Sequence, residues 1–256
     1  MTLYQKLRWM IQMGVTQTIG ETPVNRLKQS EKTNRLQPTD NPPPLASASV
    51  TDTVVQQAVR MAAQAQNLET LITIMRTFDC SPLKKTAANT VFANGNPQAD
   101  IMIIGDTPQA SDDLAGTPFT GDEGELLKKM MAAIDLNLET HCYTAVLIPW
   151  RAPGGRKPTS AETAHCLPFI KRHIELIKPK ILILLGSLTS SALLGIDSLS
   201  RARGTWHTYQ SENLASPIDT LVTFAPTYLI KNPAHKKHAW EDLKRLKAKL
   251  TESESM

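Results

Sequence analysis

Asp106 sits in the turn Gly105-Asp106-Thr107-Pro108, directly after the apolar run Ile101-Met102-Ile103-Ile104. A second acidic pair, Asp112-Asp113, follows, and Phe119 stands in a loop beside Pro118 between Gly116 and Gly121. In open α/β sheets the carboxyl ends of the strands are where ligands bind, so a carboxylate in that turn is placed for chemistry. On spacing alone the same pattern also suits the strand–turn–helix of any α/β domain with solvated acids, because a single G-D-x-P is a weak motif. Eight cations, Arg151, Arg156, Lys157, Arg201, Arg203, Lys231, Lys236 and Lys237, fall on or beside the loops that follow the strands. That distribution suits contacts to nucleic-acid phosphates, with Lys231 and Arg203 best placed because they flank the loops. His207, His235 and His238 read as part of a solvated basic face, since no C-x-x-C or H-x-x-x-H spacing supports a metal site. There is no G-x-x-x-x-G-K-[ST] phosphate loop, and Ser187 lacks the glycine-flanked elbow of a hydrolase.

The elements that must position these residues alternate between strand and helix. Short apolar runs at residues 101–104, 142–148, 181–185 and 220–224 read as buried strands. Residues 89–97 add a short strand closed by a turn. Helical spacing follows at residues 125–134, 161–177, 187–194 and 236–250, with one or two more helices over residues 54–75. Thr159 and Glu162 have the spacing of a capping box. The expected fold is a three-layer α/β/α domain with a central, mostly parallel four-stranded sheet, its strand-end loops converging on one cleft.

The domain is expected over residues 53–250, with a tail at 251–256. Before it, residues 1–21 hold an amphipathic helix built on Leu3, Leu7, Met10 and Ile11, either docking on the domain or taking a protein partner. Residues 22–52 are Pro- and Ser-rich and are expected to be a disordered linker. The 256 residues are 41% hydrophobic and 20% charged with a net charge of +4, a globular composition compatible with a nucleic-acid partner. No apolar run is long enough to span a membrane, and the start lacks a secretory signal pattern. The three cysteines, Cys80, Cys142 and Cys166, are too few and too scattered for a disulfide framework, so a reducing cytoplasm is the expected compartment.

Four motifs in order resemble the family 4 uracil-DNA glycosylases. Residues 105–121 resemble that family's first motif, Pro149 to Thr159 (PWRAPGGRKPT) its R-P-P-x-x-R-x-P-T loop, residues 179–186 its next strand, and residues 225–233 its terminal motif. The resemblance runs from about residue 78 to 250, and the N-terminal stretch and linker look like the appendage of a proteobacterial branch. It implies an enzyme that extrudes deoxyuridine from DNA and cleaves the N-glycosidic bond for base-excision repair. The target base must leave the stack because its reactive carbon is buried in the duplex. Asp106 takes the place of a glutamate that positions water. Phe119 stacks the base, and Gly105, Thr107 and Pro108 shape the turn around it. Arg151, Arg156, Arg203 and Lys231 are expected to hold DNA.

The likeness is uneven. An asparagine that reads the base edge is replaced by Val146, and a histidine that bonds a uracil oxygen by Ala225; neither side chain donates or accepts. His207, Thr107, Thr227 and Tyr228 are the nearby polar candidates to substitute. The family's 4Fe–4S cluster ligands align with Phe78, Ser81, Trp150 and Cys166, with Cys80 beside one of them. One thiolate is too few for a four-ligand cluster, so neither cofactor nor metal is expected. Trp150 is expected to fill the vacated space, with Cys166 a buried small hydrophobe. The resulting expectation is a divergent uracil-DNA glycosylase of reduced activity. The alternatives are an inactive relative that binds DNA or a protein, or a weak pocket for a free base or nucleotide.

Overall fold

The computed structural model describes residues 50–254 apart from Cys80. The expected N-terminal helix and nearly all of the linker lie outside those residues. Two helices open the described chain, α1 (Val50–Ala63) and α2 (Leu68–Thr77), with Asn67 capping α2 by accepting the Thr70 N–H. After them come β1 (Ala93–Gly95), β2 (Ile101–Gly105), α3 (Ala110–Ala115), α4 (Gly121–Ala132) and β3 (Cys142–Val146). A 3-10 turn at Pro153–Gly155 leads to α5 (Ser160–Ile177), β4 (Ile181–Leu185), α6 (Ser187–Leu194) and α7 (Leu199–Ala202). The chain closes with β5 (Trp206–Tyr209), β6 (Ile218–Thr223), α8 (Pro226–Lys231), a 3-10 turn at Pro233–His235 and α9 (Lys236–Glu254). The capping box at Thr159 and Glu162 is formed. No helix among the described residues is long and apolar enough to cross a membrane.

The sheet has six strands rather than the expected four, in the order β1-β3-β2-β4-β6-β5. The four central strands are parallel, while β1 and β5 are antiparallel edges. The edges carry weak sequence signals for a physical reason. Each has one neighbour and is only partly buried, so it needs no continuous apolar run. β2, β3 and β4 are buried throughout and β6 at all but Asp219, and their residues alternate between two cores. Met102, Ile104, Tyr143, Leu182 and Leu184 face Leu71, Phe169 and Ile174 of α2 and α5. Ile101, Ile103, Ile181 and Ile183 face Leu127 and Met131 of α4, and Leu243 and Leu246 of α9. A period-2 strand pattern feeding two cores is what three layers require.

Asp112 ties down the loop that carries Phe119, and its neighbour Asp113 ties α3 to residues 88 and 89. Asp112 is buried; its Oδ2 accepts the Gln109 N–H at 2.8 Å, and its Oδ1 accepts the Thr120 N–H at 2.7 Å and the Thr120 hydroxyl at 2.5 Å. Asp113 accepts the N–H groups of Ala88 and Asn89. The acidic pair is therefore structural. Glu123, on the first turn of α4, is also buried and hydrogen-bonded to Asp112. Burial first, then the adjacent Asp112 carboxylate, pushes its pKa up from 4.5 to about 9. Glu123 is thus a neutral acid that donates to Asp112.

This lock should make stability depend on pH in a stated direction. Unfolded, Glu123 loses its proton near pH 4.5; folded, it keeps it to about pH 9. Across that window the native state binds the extra proton, so stability falls as pH rises. Glu123→Gln keeps a donor to Asp112 and cannot titrate. Denaturant unfolding at several pH values between 5 and 8.5 should show a shallower decline for the variant, and parallel declines would refute the neutral-acid assignment.

Candidate active site

The strand register gathers the special loops at one sheet edge. Gly105 pairs with Val146 on one side and with Leu185 on the other, and Leu185 pairs with Thr223. Asp106, Gly186 and Phe224 therefore each stand one residue beyond a strand end, with Val146 the last residue of its own strand. The chain order reverses between β2 and β4, which makes this edge a topological switch point.

Gly105, directly before Asp106 in the chain, is where Phe119 meets the strand end. A Cβ on Gly105 would lie 2.8 Å from Cζ of Phe119 and 3.7 Å from Cγ1 of Val146. The ring therefore lies against Gly105 at the end of β2, on the side where Val146 also approaches. Phe119 adopts φ 58°, a conformation that costs a non-glycine residue energy, and is 9% exposed. Gly124 accommodates that backbone, since a Cβ there would stand 2.6 Å from the Phe119 carbonyl carbon. Pro118 is buried behind the ring, and a cavity of about 160 Å³ adjoins it, lined among others by Asn94, Thr120 and Thr144.

Asp106 is half-buried, and its Oδ1 accepts the Thr189 N–H at 2.8 Å. Burial raises its pKa to about 6, against the opposing pull of the Thr189 and Leu188 hydrogen bonds and the Lys157 charge. It is a carboxylate at neutral pH that accepts a proton just below it. Thr107 and Thr227 are half-buried on the flanking turns. Ala225 is the N-cap residue of α8, with no side chain to offer.

The other polar candidates are engaged elsewhere. His207 lies on the edge strand β5, with its Nε2 bonded to the Ala202 carbonyl at 2.7 Å. The Tyr228 hydroxyl pairs with Nδ1 of His235 at 3.1 Å, and the two rings pack with Phe224. Of the four cations expected to hold DNA, two are spent on internal partners. Arg156 forks onto Glu162 at 2.8 and 2.6 Å. Arg203 binds the fully buried Asp242 at 2.5 and 3.2 Å and the His238 carbonyl at 2.7 Å. Asp242 in turn accepts the Thr223 hydroxyl at 2.7 Å. Arg151 and Lys231 form no ion pair among the described residues, and Lys231 is exposed. A larger groove of about 1060 Å³ runs between α1, α5 and the loop after β5, lined by Val59, Leu167, Arg172 and Glu175. Neither Asp106 nor Phe119 lines it, so volume alone does not mark the chemistry.

At the four positions that the resemblance gives to a cluster, Phe78 and Trp150 stack at 6.4 Å, and Phe169 meets Phe78 edge-on at 5.0 Å. Trp150 is buried, and its indole donates to the Thr90 hydroxyl at 3.1 Å. Cys166 is buried, and burial pushes its thiol well above the usual range. The Ser81 hydroxyl and both ring nitrogens of His165 are buried without hydrogen-bond partners among the described residues. No group of three or more His, Cys, Asp or Glu there is placed to hold a metal. Two aromatic rings, one hydroxyl and one thiol do not fit a cluster that needs four ligands.

The profile of the Uracil DNA glycosylase superfamily matches residues 92–244. The Type-4 uracil-DNA glycosylase of Saccharolobus solfataricus is 31% identical over 193 residues, covering 72% of this chain and 87% of the relative. That of Pyrobaculum aerophilum is 29% identical over 182 residues, covering 69% and 91%. That of Thermotoga maritima is 29% identical over 177 residues, covering 65% and 86%. These relatives overturn the expectation that the chain carries no cofactor. They are of the type whose enzymes hold an iron–sulfur cluster, so absence of a cluster does not follow from what this chain is similar to. A sheet edge that carries Asp106 and packs Phe119 on Gly105, in a sequence matched over residues 92–244, makes this chain a member of the uracil DNA glycosylase superfamily.

Proposed function

We propose that the chain excises uracil from DNA by hydrolysing the N-glycosidic bond, with Asp106 as the acid that positions water and Phe119 as the surface on which the evicted base stacks. The observation that supports this most is the Gly105 contact, which packs the aromatic ring on the residue directly before Asp106, at a sheet switch point. The reaction builds positive charge on the sugar and negative charge on the departing uracil. An ionised Asp106 favours the first and orients the attacking water. The second lacks side-chain donors at Val146 and Ala225, so the activity is reduced. Arg151 and Lys231 contact phosphates. A second reading, a relative that binds DNA without cleaving it, is favoured by that same pair of apolar residues.

An oligonucleotide with one uracil, incubated with the protein and cleaved in alkali, decides between them. Wild type should nick at the uracil, and Asp106→Asn should lower the rate roughly 100-fold or more. An unaffected variant would remove Asp106 from the mechanism.

The rate should also rise with pH through about 6 and level off above it, because the working form of Asp106 is the carboxylate. A profile flat from pH 5 to 8 would contradict that role.

Supplying the missing donors gives a third test. Val146→Asn combined with Ala225→His should raise the rate roughly 100-fold, about what one oxyanion donor is worth. No activity in either protein favours the second reading.

In binding titrations, Lys231→Ala should shallow the dependence of log affinity on log salt by about one unit, with little change between DNA sequences.

A further inference from the structure

Asp106 is docked on the helix that follows the neighbouring strand. α6 begins at Ser187, and the N–H of Thr189 in its first turn donates to Oδ1 of Asp106 at 2.8 Å. The Leu188 N–H also bonds the carboxylate. Thr189 is fully buried, and its hydroxyl donates to the Gly186 carbonyl at 3.2 Å, which closes the turn. Gly186 has φ +115°, a region that suits glycine, and a Cβ there would stand 2.9 Å from Cγ and 3.0 Å from Oδ1 of Asp106. The turn is thus shaped around a carboxylate. The charged group that faces Asp106 from the loop after β3 is Lys157.

We propose that the turn at residues 186–189 is a positioning element for excision: its amides and its missing side chain fix the orientation of Asp106 and hold it in the ionised form. Helix-terminal amides stabilise a carboxylate through direct hydrogen bonds and through the positive end of the helix dipole. Gly186 and Thr189 act through Asp106 and touch no substrate. The inference rests on the proposed excision reaction for its consequence, but not for its geometry.

The test uses the full chain and two readouts. Carboxyl-carbon NMR with labelled aspartate follows the Asp106 titration directly in wild type, Thr189→Pro and Gly186→Ala. Proline at the third residue of α6 removes the N–H, and with it the Thr189 hydroxyl, within the first helical turn. The Asp106 midpoint should move up by about one unit in Thr189→Pro, the 10-fold change in proton affinity expected when a charge-assisted hydrogen bond is lost. Gly186→Ala, which displaces the carboxylate, should move it as well. On the uracil oligonucleotide both variants should lose at least 10-fold in kcat with KM held, and the acid limb of the rate profile should shift with the NMR midpoint. A folded variant with its midpoint unmoved, or a moved midpoint with unchanged kcat, overturns the proposal. Should one variant fail to fold, the other decides by the same criteria. If wild type releases no uracil, the excision reading falls, and the NMR midpoints still show whether the turn holds the acid.

Discussion

Placing a carboxylate at the end of a buried parallel strand removes much of its hydration, and the loss must be met by groups already fixed in place. At Asp106 they come from the neighbouring strand. β2 delivers the acid, β4 delivers a glycine and then a helix, and the acid meets the helix amides across the strand pair. That contact is available because the chain order reverses between these strands, which opens the crevice between them. Gly105 and Gly186 mark its two walls. A side chain at the first would drive out Phe119, and one at the second would drive out Asp106.

The aromatic wall is maintained at some energetic cost. Phe119 is held at a positive φ, and the loop around it is tied down by Asp112 through Thr120. Asp112 tolerates its burial because Glu123 beside it stays protonated. Residues 112, 120 and 123 thus form a small buried network whose effect is felt at residue 119. Such a network specifies one loop conformation when every member is satisfied, as these are.

The parts of this arrangement that can be read in the sequence are those in which local pattern and tertiary role coincide. The central strands are continuous apolar runs because they are covered on both faces, and the Thr159–Glu162 capping box lies within one helical turn. β5 escapes notice because an edge strand with His207 and Thr208 needs no apolar run. The ion pairs of the cations stay hidden for another reason. Charge and spacing are visible in a sequence, but partners are not. Arg203 meets Asp242 from 39 residues away, and Asp106 meets Thr189 from 83 away. The cofactor expectation fails in a third way. It was drawn from residue types at four aligned positions, whereas the similarity to type-4 enzymes extends over most of the domain and points the other way.

Comparison of the buried acids shows which of them is available for chemistry. Asp242 is saturated by two nitrogens of Arg203 and the Thr223 hydroxyl. Asp112 is saturated by two backbone amides, one hydroxyl and the Glu123 acid. Glu123 carries its proton at neutral pH and so cannot act as a base. Asp106 receives amides of one helix turn, and its pKa of about 6 keeps it charged near neutrality yet able to take up a proton. Carboxylates whose oxygens are taken up by protein donors offer little to a water, whereas an acid held by part of its surface can orient a nucleophile with the rest. That difference in partners, more than the motif around it, singles out Asp106.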